Sequence, residues 1–110
     1  MAKKWLASKI DLECVAFVKQ VHAVCADVDI ETVSRDAVEA SMVRCPDVGA
    51  SSKMVELVKQ ARDEGDSLGG VVECVVRNAP VGLGEPIFDR LDADIAKAMM
   101  SINAVKGVEL

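Results

Sequence analysis

Tyrosine is absent from this chain of 110 residues, and Trp5, Phe17 and Phe88 are its only aromatic residues. Three isolated rings cannot build the stacking platform on which single-stranded nucleic acids bind. A basic stripe is missing too. With 13 Lys and Arg against 18 Asp and Glu, the net charge of −5 offers no surface that could displace counterions from a phosphate backbone. No nucleic-acid partner is therefore expected. No run approaches the roughly 20 apolar residues that span a bilayer, and Asp11 and Glu13 interrupt the N-terminal segment before a signal-peptide core could form. The reading is of a soluble, cytoplasmic protein with no membrane partner. Any transit peptide of a longer precursor would lie outside this sequence, and the plastid stroma is the compartment if the source is a plant or alga.

Paired metal ligands are lacking as well. Cys14, Cys25, Cys45 and Cys74 contain no C-x-x-C, and although His22 and Cys25 have a spacing that could seat a metal, no second pair completes a tetrahedral site. A small redox or zinc module is poorly supported by such spacing. The four cysteines are expected to be reduced, buried thiols that bind no metal. His22, the single histidine, reads as a structural group rather than a catalyst.

What the chain does have is the composition of a folded domain, with 51% hydrophobic residues in a length sufficient for one core. Ala2 to Ile10 reads as a helix end. Leu12 to Ala26 is β-branched and apolar enough for one long strand, with Val15, Phe17, Lys19, Val21 and Ala23 on one face. Asp27 to Val33 is a loop, and Ser34 caps a short helix running to about Met42. Pro46 breaks that helix, and Ser51 or Ser52 caps the next, whose apolar stripe is Met54, Leu57, Val58 and Ala61. Gly65 suits the left-handed position that closes it. Val71 to Arg77 is a strand, with Val72, Cys74 and Val76 on one side and Val71, Glu73, Val75 and Arg77 on the other. Pro86 fits the first turn of a last helix, with Asp89, Asp92 and Asp94 near its positive end. Its buried stripe would be Phe88, Leu91, Ile95, Ala98, Met99 and Ile102, Met99 and Met100 serving as core filler. Asn103 stands at its end, and Val105 to Leu110 begins another strand. The order α-β-α-α-β-α-β describes an α+β or α/β layered arrangement with helices covering a sheet.

Periodicity alone assigns no reaction. Gly82-Leu83-Gly84 lacks the lysine of a phosphate loop, and Ile87 stands where G-x-G-x-x-G needs glycine. Asp92 and Asp94 diverge on a helix and make no acid/base pair. Ser67 after Asp66 reads as a turn or cap residue, with no nearby histidine in sequence to activate it.

Several separate segments, in order, resemble one family. Ala2-Lys3-Lys4-Trp5-Leu6-Ala7, Cys45-Pro46-Asp47 and Glu64-Gly65-Asp66-Ser67 are the first three. Gly82-Leu83-Gly84-Glu85-Pro86, Phe88-Asp89-Arg90-Leu91-Asp92-Ala93-Asp94 and the run from Met100 to Glu109 follow. Together they are similar to the interior of chorismate synthase, the likeness weakening between Val24 and Val43. The resemblance implies an α+β fold, a layered β-α-β sandwich with helices on a mainly antiparallel sheet, of which residues 1–110 would be a single partial domain. It implies conversion of 5-enolpyruvylshikimate 3-phosphate to chorismate and phosphate by 1,4-elimination, in aromatic amino acid biosynthesis. Reduced FMN would be the cofactor, and the intact enzyme a homotetramer. The family's histidine, substrate-gripping arginine and C-terminal flavin-loop motifs have no counterpart here, so no catalytic residue carries over. Asn103 and Ala104 do, as flavin contacts, because they match the family's I-N-A-V segment. The alternative is a non-catalytic interaction module that kept part of the fold.

Overall fold

A computed structural model describes residues 1–110, which divide into two compact units, Met1–Arg77 and Asn78–Leu110. The fold is α+β. Its sheet has three antiparallel strands in the order β2-β1-β3.

In the first unit, α1 (Ala2–Ile10) ends where Asp11 turns left-handed at φ 52°, and Lys3 Nζ donates to the Cys14 carbonyl at 3.3 Å. β1 (Glu13–Val21) then runs into a tight hairpin with β2 (Val24–Cys25). The long strand expected from Leu12 to Ala26 is thus cut short. His22 adopts φ 51° at the first turn position, the conformation that two-residue hairpins require and that histidine tolerates better than β-branched residues. The turn is tied down on both sides: His22 N–H donates to the Gly69 carbonyl at 2.9 Å, and Gln20 Nε2 donates to the His22 carbonyl at 2.7 Å.

α2 (Arg35–Glu39) is shorter than expected but starts as read, with Ser34 Oγ accepting from Ala37 N–H at 3.3 Å. α3 (Val48–Glu64) corrects the expected cap. Asp47, not Ser51 or Ser52, opens it, its carboxylate accepting from Ala50 N–H at 3.0 Å and from Asp27 N–H at 3.1 Å. Both serines are engaged elsewhere: Ser51 Oγ meets Ser41 Oγ at 2.7 Å, and Ser52 Oγ donates to the Val48 carbonyl at 3.1 Å. The hydrogen bonds that Asp47 accepts hold its carboxyl below the usual range, the one from Ala50 most strongly. Gly65, at φ 72°, closes α3 in a Schellman motif, with Asp66 N–H reaching the Ala61 carbonyl at 2.8 Å and Gly65 N–H the Arg62 carbonyl at 3.1 Å.

β3 (Gly70–Arg77) pairs with β1 along its length, from Glu13 opposite Arg77 to Val21 opposite Gly70. Lys19 is the extra residue of a bulge between Val18 and Gln20. One inserted residue reverses strand parity, so Val21 does not share a face with Val15 and Phe17 as the simple alternation expects. Val15 and Phe17 pack in a cluster with Val33 and Val38, joined by Val28 and Val75. Val18, Val21 and Val24 instead pack on a second cluster of Ala26, Cys45, Ala50 and Met54. Phe17, Cys45 and Met54 are the most deeply buried side chains.

Glu73, Val75 and Arg77 form the partly covered side of β3, while Val72, Cys74 and Val76 are exposed. The polar side is the covered one because of Arg77. Its guanidinium donates to the carbonyls of Ile30 at 2.8 Å and Val33 at 2.9 Å and pairs with the Glu13 carboxylate at 2.8 Å, strapping the 27–34 loop to the sheet. Lys19 Nζ lies 3.5 Å from Glu73 on the neighbouring rung.

In the second unit the last helix, α4 (Leu91–Met100), begins with Arg90 in the cap position, five residues later than the proline-led start expected at Pro86. Residues 81–84 form a turn in which Gly82 and Gly84 both have positive φ, and Asp89 N–H closes a second turn on the Pro86 carbonyl at 3.1 Å. Pro86 therefore shapes the approach to the helix rather than its first turn. Within Asn78–Leu110 the expected apolar stripe is not buried: Phe88 is 93% exposed, and Leu91, Met99, Met100 and Ile102 are exposed too. Met99 and Met100 are not core filler here. So short a stretch has no second layer to place on that stripe. Residues 105–110 carry no strand pairing, correcting the strand expected there, and the observed order is α-β-β-α-α-β-α.

Candidate functional site

Asn103 and Ala104 lie in the turn that follows α4. The helix closes with Ser101 N–H bonded to the carbonyls of Lys97 at 3.2 Å and Ala98 at 3.3 Å, and Ser101 Oγ caps the Ala98 carbonyl at 2.6 Å. Val105 N–H then donates to the Ile102 carbonyl at 3.3 Å, making Asn103 and Ala104 the two central residues of a four-residue turn. Ala104 occupies its third position at φ 70°. Positive φ there is normally met by glycine or asparagine, because an L side chain crowds the neighbouring peptide. A left-handed alanine beside an exposed asparagine amide is the clearest backbone strain in this unit. Asn103 does not end the helix, since Ser101 does that. Its carboxamide, with two donors and an acceptor, is therefore not committed to capping α4.

A concavity lies in the first unit. The loop after α3 borders an open, mostly apolar cleft of about 410 Å³ lined by Val21, Val58, Ala61 and Leu68. Asp66 Oδ1 accepts from Ser67 N–H at 2.7 Å, in the irregular segment between α3 and β3. Gly70 has a steric role: a Cβ there would sit 2.7 Å from the Gln20 carbonyl oxygen, inside the sheet.

Other residues singled out by sequence take structural parts. Arg90 pairs with Asp92, which depresses the Asp92 carboxyl below its usual range, and Asp92 also accepts from Ala93 N–H at 2.9 Å. Asp29 is likewise held low, mainly by the Glu31 N–H at 3.0 Å and then by the Thr32 hydroxyl at 2.9 Å, which folds the loop onto itself. No three His, Cys, Asp or Glu side chains converge on a metal-sized space. No helix is long and apolar enough to cross a membrane.

The four cysteines are free thiols. Burial, expected of all four, holds for Cys45, whose thiol it pushes up, but Cys25 and Cys74 are exposed and Cys14 is half-buried. Sequence reasoning missed that Cys14 and Cys74 meet, Sγ to Sγ, at 3.4 Å. Their separation of 60 residues hides this. Only the β1–β3 register, with Cys14 opposite Val76 and Ala16 opposite Cys74, makes them diagonal neighbours on one face.

The family model described as chorismate synthase matches residues 1–110. The chorismate synthase of Gloeothece citriformis (strain PCC 7424) is 53% identical over 110 residues, covering all of this chain and 30% of that protein. That of Synechocystis sp. (strain ATCC 27184 / PCC 6803 / Kazusa) is 53% identical over 109 residues, covering 99% and 30%. A crystal structure of chorismate synthase superimposes with a TM-score of 0.79 at 30% identity, over 97% of this chain and 35% of the solved one. The chain thus spans about 30% of the length of the curated relatives it matches. With both its sequence and its fold matched from end to end, the chain belongs to the chorismate synthase family.

Proposed function

We propose that residues 1–110 form a partial domain, an interior portion of a chorismate synthase that converts 5-enolpyruvylshikimate 3-phosphate to chorismate and phosphate with reduced FMN. The intact enzyme would be a homotetramer in the cytoplasm or plastid stroma. The observation that carries this is a likeness running the whole length of the chain in sequence and fold together. An interaction module that kept only part of the fold is not favoured by so continuous a match. Elimination needs groups that protonate and groups that hold the departing phosphate. This chain has one histidine, exposed in a hairpin turn, and its Arg77 is committed to loop carbonyls. Its part is to hold and position.

The flavin would meet Asn103 and Ala104. The strained turn supports this, because a positive φ at a non-glycine residue persists where the backbone is set for close approach, and a methyl group leaves room for a planar ring. The Asn103 carboxamide can donate to a flavin carbonyl or accept from a ring N–H. FMN bound there would supply electron density that assists loss of phosphate, and Asn103 and Ala104 would hold and orient it.

Grafting residues 1–110 in place of the matching segment of the Synechocystis chorismate synthase tests the assignment. The chimaera should form chorismate with reduced FMN under nitrogen, and the isolated chain should form none. A chimaera that folds and binds flavin yet turns over no substrate would refute it. In the active chimaera, Asn103→Ala should weaken FMN several-fold, as loss of a hydrogen bond worth about 0.5–1.5 kcal/mol does. Lys53→Ala, on the exposed side of α3, should leave affinity unchanged. Unaltered flavin titration for Asn103→Ala would reduce that residue to a turn former.

A further inference from the structure

The contact between Cys14 and Cys74 is independent of the flavin assignment and is not explained by packing. Neither sulfur belongs to the buried clusters. Both lie on the side of the sheet where Val72 and Val76 are also exposed, and Cys74 itself is exposed. The sulfurs are 3.4 Å apart on adjacent antiparallel strands paired without interruption from Glu13–Arg77 to Val18–Val72, so their encounter is built into the fold. Closing to a covalent S–S distance of about 2.0 Å asks for side-chain rotation and a small shift of two diagonal positions, not for unfolding. Cys25 and Cys45 offer no comparable pair: Cys45 is buried with its sulfur donating to the Asp47 carbonyl at 3.6 Å.

We propose that Cys14 and Cys74 form a reversible, redox-sensitive dithiol pair that closes to a cross-strand disulfide by exchange with a low-molecular-weight disulfide such as glutathione disulfide. The thiolate of one cysteine attacks a glutathione sulfur, forming a protein–glutathione mixed disulfide and releasing one glutathione. The second cysteine, losing its proton to solvent, then attacks the protein sulfur of that mixed disulfide and releases the second glutathione. In sum, two protein thiols are oxidised to one disulfide and one glutathione disulfide is reduced to two thiols.

Either sulfur can make the first attack and the other then resolves the mixed disulfide, since the two lie 3.4 Å apart whichever leads. A bond across a diagonal of the ladder departs from the geometry disulfides prefer, and such bonds are the readily reduced ones, which suits a switch rather than a permanent staple.

Thiol titration and peptide mapping of the 110-residue chain under glutathione disulfide test this. Free thiols should fall from four to two, with one cross-linked peptide joining Cys14 to Cys74, and dithiothreitol should restore all four. Cys25→Ser and Cys45→Ser should leave the cross-link intact. In Cys74→Ser, Cys14 should stop at the glutathione adduct. Cross-linking should be at least tenfold faster in native buffer than in guanidinium chloride, since the fold brings the sulfurs together. Four persistent thiols, a cross-link involving Cys25, or equal rates in folded and unfolded protein would each overturn the proposal.

Discussion

Replacing Phe17 by alanine is expected to remove about 3–5 kcal/mol from the stability of residues 1–77. Phe17 is 1% exposed and joins Val15, Val33 and Val38 in the cluster beneath β1. Truncation loses the transfer energy of a buried ring and leaves a cavity that strands fixed by their ladder cannot collapse to fill. A domain of this size has about 5–15 kcal/mol in hand, so the variant should sit at the edge of folding. Urea denaturation followed by far-ultraviolet circular dichroism reads the loss as a lower midpoint at similar slope. Phe88→Ala provides the control: the same chemical change at a ring 93% exposed should move the midpoint very little. Equal effects at the two sites would mean that Phe17 is not the keystone of this core.

The second large effect is expected at Gly84, and it separates two glycines that look alike in sequence. Gly82 and Gly84 both have positive φ, at 95° and 77°. A Cβ on Gly82 would meet nothing within 4 Å, so Gly82→Ala carries only the left-handed penalty of about 1–2 kcal/mol. A Cβ on Gly84 would lie 2.2 Å from the backbone nitrogen of Leu91 and 2.8 Å from its Cβ, at the first residue of α4. Backbone cannot yield as a flexible side chain does. Gly84→Ala must therefore either open the 81–84 turn or displace the start of α4. Hydrogen exchange of the α4 amides is the direct reading: protection should fall sharply for Gly84→Ala and modestly for Gly82→Ala. Comparable protection in both variants would show that the close approach at Gly84 is not what seats the helix.

Much of the fold was legible where one local device decides an outcome. Ser34 as a cap, Gly65 as a left-handed terminator and Val71 to Arg77 as a strand all rest on chemistry within a few residues, and all stand. The misses have a common cause, namely that a non-local partner decided. The strand from Leu12 reads on through His22 in sequence because nothing nearby announces a histidine turn, whose backbone is held by Gly69. Asp47 is the exception, since its capping bond to Ala50 is local and the bond to Asp27, twenty residues away, only adds to it. Lys19 reads as an ordinary strand residue until the β3 register makes it a bulge. At the candidate site, the segment from Ile102 to Val105 was legible only through family resemblance. Its strain was not, because alanine at positive φ leaves no mark in composition or periodicity. The Cys14–Cys74 contact was equally hidden, since it belongs to the register rather than to either strand.

That register has a consequence for how the chain is made. β1 is the central strand of its sheet, yet its main partner is β3, and the Glu13–Arg77 pair is 64 residues apart. During synthesis at about 5–20 residues per second, β1 waits for several seconds before β3 exists to pair with it. In that interval Cys14-Val15-Ala16-Phe17-Val18 is an apolar segment with open backbone groups on its β3 edge, a template for pairing with another nascent chain. β2 covers the opposite edge of β1, and only at Gln20–Val21, so it leaves the β3 edge open. A ribosome pausing before residue 77 would prolong that exposure, whereas one passing through quickly would let β3 close it. Slower translation across residues 22–77 is expected to increase the share of this chain lost to aggregation.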